Sequence, residues 1–328
     1  MTRVALIGAN GHGVHHREVV TDEPLAELVG LSDVSEVHDP PVGVPVFTDA
    51  DVMLKSVEPD VVIVSTPPAT HLPLAVAALR AGADVLLEKP PVLDLAQHEA
   101  LSAVESETGR VVQVGFQALA SPDLPRLREY HADVSVVGAW FRDSEYWTRS
   151  PWAGRPPLDG ALRNPFAHAI MQALAVVDAP PVRVEVAWAR SRGDIEVDDI
   201  STLRLGFADG RRVLVGVSLA SDEEFIDGEL RTGPEVVNFR EFEGVSLLHN
   251  LIQHRLSDVE LLAPLALTRG FTAVVEALGA LPAPGLLKGA PAGIAGILRR
   301  CAADFALLNE IEAPWTANAT GGAANIAD

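Results

Sequence analysis

The sequence predicts an α/β protein in two parts: a doubly wound parallel sheet in the first third, then an α+β domain built on a mostly antiparallel open sheet. Three observations carry this. Short runs that are apolar throughout, such as "RVALIG", "DVVIVST" and "DVLLEK", alternate with helix-length segments, the pattern of parallel βαβ units covered on both faces. In the second half the runs lengthen and alternate ("DVSVVGAWFR", "PVRVEVAWARS", "ISTLRLGFADGRRVLVGVSLA", "PEVVNFREFEG"), which suits an antiparallel sheet with one covered face. Between the two regimes lies "ALASPDLP", residues 118 to 125, which sets the domains at 1–120 and 121–328.

In chain order, "RVALIG" is a strand and is followed by a Gly-rich turn and the helical stretch "HHREVVTDEPLAELV", leading to a second strand that Asp33 closes. "SEVHDPPVGVPVF" leaves two prolines and too few residues for a helix before the third strand, "VPVF". "DADVMLKSV", "LPLAVAALRAG" and "AQHEALSAVESETG" are helical, between the strands "DVVIVST", "DVLLEK" and "VVQVGF". Further on, Asp209-Gly210 sits where a hairpin needs positive φ. "NPFAHAIMQALAVV" precedes the long alternating runs as a helix and "AGIAGILRRCAADFALLNEIE" follows them. The small, polar, Gly-rich tail "ATGGAANIAD" is expected to fray.

With 48% hydrophobic residues in 328, the chain can bury a sizeable core. A formal net charge of −20 opposes binding to nucleic acid or an anionic membrane. The single cysteine, Cys301, excludes an internal disulfide and a cysteine-based metal cluster, and its amphipathic surroundings predict a buried thiol. The apolar stretch near 258 to 300 is interrupted by Arg269, Glu276 and prolines, so one membrane-crossing helix is not expected. The first strand begins at the third residue, which leaves no room for a signal peptide, and a cytoplasmic protein is expected.

"VALIGANGHGVHHREVV" carries the first chemistry. Gly8 and Gly13 meet the outer positions of G-x-G-x-x-G, Asn10 stands at the middle one, and Gly11 and His12 complete the turn. A tight turn, close backbone approach to a pyrophosphate and a free helix N-terminus make a dinucleotide site of the Rossmann type. Asn is among the residues best tolerated at positive φ. Asp33 lies 25 residues after Gly8, near the spacing of a carboxylate that accepts from a ribose 2′-OH; it repels a 2′-phosphate, so NAD is favoured over NADP. His12, His15 and His16 crowd the helix start. No carboxylate or cysteine stands near them at ligand spacing, so they read as surface or phosphate-side residues, and no metal is expected.

Two later strands end in polar groups where open α/β sheets bind ligands: Ser65-Thr66-Pro67-Pro68 and Glu88-Lys89-Pro90. With the Gly-rich turn, the T-P-P-x-x-H segment ending at His71, the E-K-P motif, "VGFQ" ending at Gln117 and a histidine on the first helix of the second part, the chain resembles the glucose–fructose oxidoreductase and inositol dehydrogenase family (Gfo/Idh/MocA) over about its whole length. The resemblance implies that Lys89 lies beside the nicotinamide and donates to the substrate oxygen, with Glu88 a ribose-binding or lysine-orienting group and a cis bond before Pro90. It implies cofactor contacts from Ser65, Thr66, Pro67, His71 and Gln117. An ordinary ion pair at a strand end is the plain alternative for Glu88 and Lys89.

In the family pattern G-G-x-x-x-D-x-x-x-H, His168 matches the histidine and Asn164 takes the aspartate position, one helical turn earlier. His168 is then the proton acceptor, while Asn164, a neutral amide, orients without accepting the proton. An arginine often found soon after "GF" in the family is absent from "GFQALASP". Trp140, Tyr146, Trp147 and Trp152 offer faces for a sugar ring or belong to a core or subunit interface. The resemblance implies an NAD(P)-dependent dehydrogenase of a sugar, cyclitol or polyol, assembled as a homodimer or homotetramer. A non-catalytic NAD-binding sensor or an NAD-recycling glycosidase or lyase stands as the alternative.

Overall fold

In the computed structural model, which describes residues 1–238 and 244–326, and of 224–227 the backbone only, the chain forms two units: Met1–Ala120 with Gly244–Thr272, and Ser121–Glu243 with Ala273–Asp328. The first contains β1 (Thr2–Ile7), α1 (Gly13–Asp22), β2 (Ala26–Ser32), β3 (Val46–Phe47), α2 (Ala50–Val57), β4 (Val61–Val64), α3 (His71–Arg80), β5 (Asp84–Leu87), α4 (Leu95–Thr108) and β6 (Val112–Val114). Its six strands are parallel in the order β3-β2-β1-β4-β5-β6. Every residue of β4 and β5 is buried, as strands covered on both faces require. Asp49 and Asp94 start α2 and α4 by accepting from Val52 N at 3.0 Å and Gln97 N at 2.8 Å. The order reverses between β1 and β4, which puts the sheet's switch point, where open α/β sheets bind ligands, at the carboxyl ends of those two strands. No helix joins β2 to β3; Arg17 Nη1 instead holds that connection by donating to the carbonyls of His38 and Asp39 at 2.9 and 3.0 Å.

The expected second domain, 121–328, is corrected by the segment Gly244–Thr272, which belongs to the first unit. Gln113, polar and fully buried in β6, binds that segment through Nε2 to Leu247 O at 2.6 Å and accepts from Ala263 N at 3.1 Å. Arg255 pairs with Asp84 and Asp60 at 2.7 and 2.8 Å, at the start of β5 and just before β4. These contacts join residues far apart in sequence, which no local pattern reports.

On α4, Glu105 accepts from Val112 N at 2.7 Å, and its burial pushes its carboxyl up to about 7. A raised carboxyl pKa gives stability that is complete below the ordinary carboxylate range, about 4.5, and is lost as pH rises through about 7. Glu105→Gln keeps an acceptor for Val112. It is expected to raise unfolding free energy by about 1–2 kcal/mol near pH 8, allowing for solvent screening at this partly exposed site, and to change little near pH 5; urea midpoints at the two pH values check this.

The second unit contains α5 (Leu124–Arg128), β7 (Val134–Phe141), α6 (Ala167–Val177), β8 (Pro181–Arg190), β9 (Ile200–Phe207), β10 (Arg212–Ser218), β11 (Ala220–Thr232), β12 (Glu235–Asn238), β13 (Gly285–Leu286) and β14 (Thr320–Asn325). The order is β12-β11-β7-β10-β9-β8-β13, with β14 also on β8; β10/β7 and β13/β8 are parallel and the other pairs antiparallel. Gly210 turns the β9–β10 hairpin at φ +88. The run "PEVVNFREFEG" yields β12, and its residues 239–243 lie outside those described.

Two expectations fail here. The sheet does not keep one face bare: Val137 and Leu214 pack with Leu298 and Cys301 of the helix Ile294–Asp304, while the neighbouring Gly138 lies under the Phe166 ring. Since adjacent residues of a strand point to opposite faces, both faces are covered at the centre. The tail does not fray at 320–325 either, because β14 pairs antiparallel with β8, and its glycines lie close against Asn309, Leu281 and Pro282; residues 327 and 328 lie outside those described. Cys301 is fully buried and its thiol is pushed up to about 12 by that burial. No helix among the described residues is long and apolar enough to cross a membrane.

Candidate functional site

In the first unit the candidate residues cluster at the carboxyl ends of β1, β2, β4, β5 and β6. Gly8 leaves β1 at φ +86, and a Cβ there would meet Ser65 O and the Thr66 methyl, so the turns after β1 and β4 touch at the point where strand order reverses. No side chain caps the N-terminus of α1 at His12, and the amides of Gly13 and Val14 donate back into the turn, to Asn10 O at 2.9 Å and Gly11 O at 3.2 Å. Asp33 Oδ2 accepts from Asn10 N at 3.1 Å and Oδ1 from Ser35 N at 3.0 Å, which fixes the carboxylate beside the turn. Asn10 is not at positive φ, contrary to expectation; Gly11 takes that conformation, at φ +57, and Asn10 instead donates through Nδ2 to Glu36 O at 3.1 Å, tying down the loop after β2. A cradle of close-packed glycines, an uncapped helix and a fixed carboxylate fits a dinucleotide.

At the next turn, Ser65, Thr66 and Pro67 are partly or fully exposed, and Thr66 Oγ1 lies 2.7 Å from Thr70 Oγ1. His71 differs from its expected role. It is 1% exposed, with Nε2 2.8 Å from Thr66 O and Nδ1 2.8 Å from Pro90 O. Each nitrogen faces a backbone carbonyl, and because burial holds the ring below the usual histidine range against the pull of those carbonyls, the neutral ring donates its one N–H to one of the two. His71 braces the turns after β4 and β5.

Glu88 is not a surface residue: its side chain is 12% exposed, and Oε1 accepts from His16 Nε2 at 2.9 Å with His12 Nε2 at 3.5 Å. Oε2 accepts from Lys89 N at 3.2 Å. Burial alone would raise the Glu88 pKa, but the hydrogen bonds from His12 and His16 and the charge of Lys89 hold it well below the usual carboxylate range. The same bond to Glu88 raises His12. His16 is therefore not a surface residue either; it is 3% exposed, with a buried Nδ1 that has no partner. Gly115 is bare because a Cβ there would crowd the Glu88 carboxylate at 3.0 Å. Lys89 is partly buried, the Lys89-Pro90 bond is cis as the resemblance implies, and Gln117 is exposed just beyond β6.

In the second unit, His168 alone of the eleven residues of α6 is not buried. Asn164 does not lie on that helix: it sits in the preceding turn, where its N donates to Gly160 O at 3.1 Å and its O accepts from Ala167 N at 3.3 Å. The expected helical stacking of 164 over 168 gives way to a side-chain anchor, Asn164 Nδ2 to Asp159 Oδ1 at 3.0 Å. Asp159 is fully buried and also accepts from Gly154 N at 2.8 Å and from Arg149 at 3.1 Å. Trp140 and Trp147 are core residues; Tyr146 and Trp152 are partly exposed and carry the Arg149 guanidinium 3.8 and 4.8 Å from their ring centres. Sequence reasoning missed His16, Gly115, Asp159 and Arg149 as supports. The His12/His16 spacing of four was a visible signal for the first, while the others depend on contacts that only the fold supplies.

Residues 2–116 match the oxidoreductase family described by its NAD-binding Rossmann fold, GFO_IDH_MocA, and residues 119–232 match the GFO/IDH/MocA C-terminal domain. The chain belongs to the GFO/IDH/MocA family. Within this family it is 27% identical over 230 residues to the uncharacterized oxidoreductase YdgJ of Escherichia coli K12, a match covering 67% of this chain and 66% of the relative. It is also 27% identical over 235 residues to inositol 2-dehydrogenase of Rhizobium meliloti, covering 66% and 68%. The chain thus spans about two thirds of the length of these curated relatives. The WlbA dehydrogenase from Bordetella pertussis, solved with NADH and UDP-GlcNAcA, superposes with a TM-score of 0.71 at 20% identity, over 84% of this chain and 94% of that one. At that identity the likeness is one of fold. Residues 2–116 of this GFO/IDH/MocA protein are the family's NAD-binding Rossmann domain, with the strand order such domains have.

Proposed function

We propose that the protein is an NAD-dependent dehydrogenase that interconverts a secondary alcohol and the ketone of a sugar, cyclitol or related polyol. The observation that carries this reading is Lys89, a partly buried cation at the carboxyl end of a wholly buried strand, with its backbone N held by the Glu88 carboxylate. Among 25 basic residues only Lys55, Lys89 and Lys288 are lysines, so arginine is this chain's ordinary cation and an ammonium at 89 is informative. An ammonium is a compact point charge suited to a developing alkoxide.

Bound NAD supplies the acceptor for the hydride leaving the carbinol carbon. Lys89 donates to the substrate oxygen and stabilises its charge. His168 takes the hydroxyl proton, and Asn164, anchored on Asp159, orients without taking it. Glu88 holds the backbone of Lys89. The relatives named as inositol and other sugar or cyclitol dehydrogenases support the substrate class.

Asp33 supports NAD over NADP, because its fixed carboxylate opposes a 2′-phosphate. Asp33→Asn keeps the shape and removes the charge; it is expected to raise the affinity for NADP relative to NAD by about tenfold or more, read by titrating both dinucleotides. The function itself is tested by titrating NAD by calorimetry and then following NADH absorbance across a panel of sugars and cyclitols. Turnover on a member of that panel supports the reading. NAD binding with no turnover on any of them supports a sensor, which Asn164 in place of a carboxylate favours.

A further inference from the structure

We propose that His12, His16 and Glu88 form a binding site for one divalent transition-metal ion of the zinc type, available when the dinucleotide is absent. His12 precedes α1 and His16 lies four residues on, so both imidazoles project from one face of the helix start, the spacing by which paired histidines take zinc elsewhere. Glu88 comes from the end of β5 and meets them there. Its Oε1 is 2.9 Å from His16 Nε2 and 3.5 Å from His12 Nε2, and the three donor atoms all lie within 4.8 Å of one another.

Those separations suit the ion. Zinc held by nitrogen and oxygen at about 2.0–2.2 Å in a tetrahedron needs donor atoms roughly 3.3–3.5 Å apart. The His12 distance to Glu88 falls at the upper end of that range and the His16 distance is shorter, so small side-chain rotations close the set. Two ligands are already placed, with side chains 3% and 12% exposed, while His12 at 60% sits on the solvent rim. A water fills the fourth position, and two neutral imidazoles with one carboxylate are an ordinary zinc set.

Two features of the site bound the affinity. A ligating histidine normally donates its second N–H to a carbonyl or carboxylate, and the buried Nδ1 of His16 has no partner. The nearby Lys89 charge opposes a cation as well. Micromolar binding is therefore expected, in place of the tighter hold of a structural zinc. Because His12 belongs to the turn that cradles the dinucleotide in the proposed function, the ion and NAD exclude one another; this last clause rests on that reading.

Zinc chloride titrated by calorimetry into the NAD-free full-length protein is expected to show one ion per chain. His12→Ala is expected to weaken uptake by about tenfold or more, while His15→Ala, which alters a neighbouring exposed histidine, leaves it within about twofold. Cobalt(II) in place of zinc should give the visible absorption of a tetrahedral nitrogen and oxygen set, and Glu88→Gln should lose it; if that variant is unfolded by circular dichroism, the His12→Ala comparison decides. No uptake by the wild type, equal uptake by His12→Ala, or equal loss in His15→Ala overturns the site. Saturating NAD should weaken zinc binding by about tenfold or more. Unchanged zinc affinity in NAD-saturated protein overturns the exclusion, whereas a protein that takes zinc but never binds NAD keeps the metal site and loses the dehydrogenase reading.

Discussion

Lys89→Ala is expected to lower kcat by about 10²–10³-fold while the Kd for NAD moves by less than about threefold. The split follows from where the charge is used. An ammonium that donates to a developing alkoxide matters most in the transition state, so its loss appears in kcat more than in ground-state binding. The local frame is expected to survive the change. Glu88 keeps its bonds to His16 and to the backbone N of residue 89, and the turn stays braced by His71 on Pro90 O. Lys89→Arg is expected to recover little, because the planar fork is larger than the site of a point charge and spreads its donors over several directions. Dinucleotide titration alongside single-turnover kinetics separates the two quantities. Unaltered turnover in Lys89→Ala would remove Lys89 from the chemistry and the dehydrogenase reading with it.

The parallel sheet was legible because burial on both faces leaves a local mark: β4 and β5 are apolar but for the opening Asp84, and the polar residues that follow them fall where the strands end. The cofactor turn was legible for a related reason, since glycines are needed within a few residues of one another. What escaped was long-range. Glu88 and His16 are 72 residues apart, so neither residue's surroundings announce that one charge is shared by two imidazoles. Gln113 looks like an ordinary polar residue in a short strand until Leu247 and Ala263 arrive to satisfy it, and with them comes the whole segment 244–272. Asn164 was misread more subtly: a spacing of four implies one helix face, but α6 starts at Ala167, and the amide is anchored backwards on Asp159. Spacing carries geometry only where the helix has already begun.

Gly13→Ala and Gly11→Ala, two residues apart, are expected to fail in different ways. A Cβ at Gly13 would run into the carbonyl oxygen of Gly8, a backbone atom that cannot swing aside without rebuilding the turn. Gly13→Ala is therefore expected to cost about 1–3 kcal/mol of stability, as overpacking does, and to lower NAD affinity because the cradle itself is displaced. Around Gly11 nothing lies within 4 Å of the added carbon, and the only penalty in the free protein is its φ of +57, about 1 kcal/mol. If the pyrophosphate occupies that open space, Gly11→Ala should stay folded and still lose about tenfold or more in NAD affinity, through steric exclusion and the loss of close backbone approach. Thermal melts read the first quantity and calorimetric titration the second. A Gly11→Ala protein that binds NAD as well as the wild type would mean that the dinucleotide does not approach this turn, whatever the strand order around it.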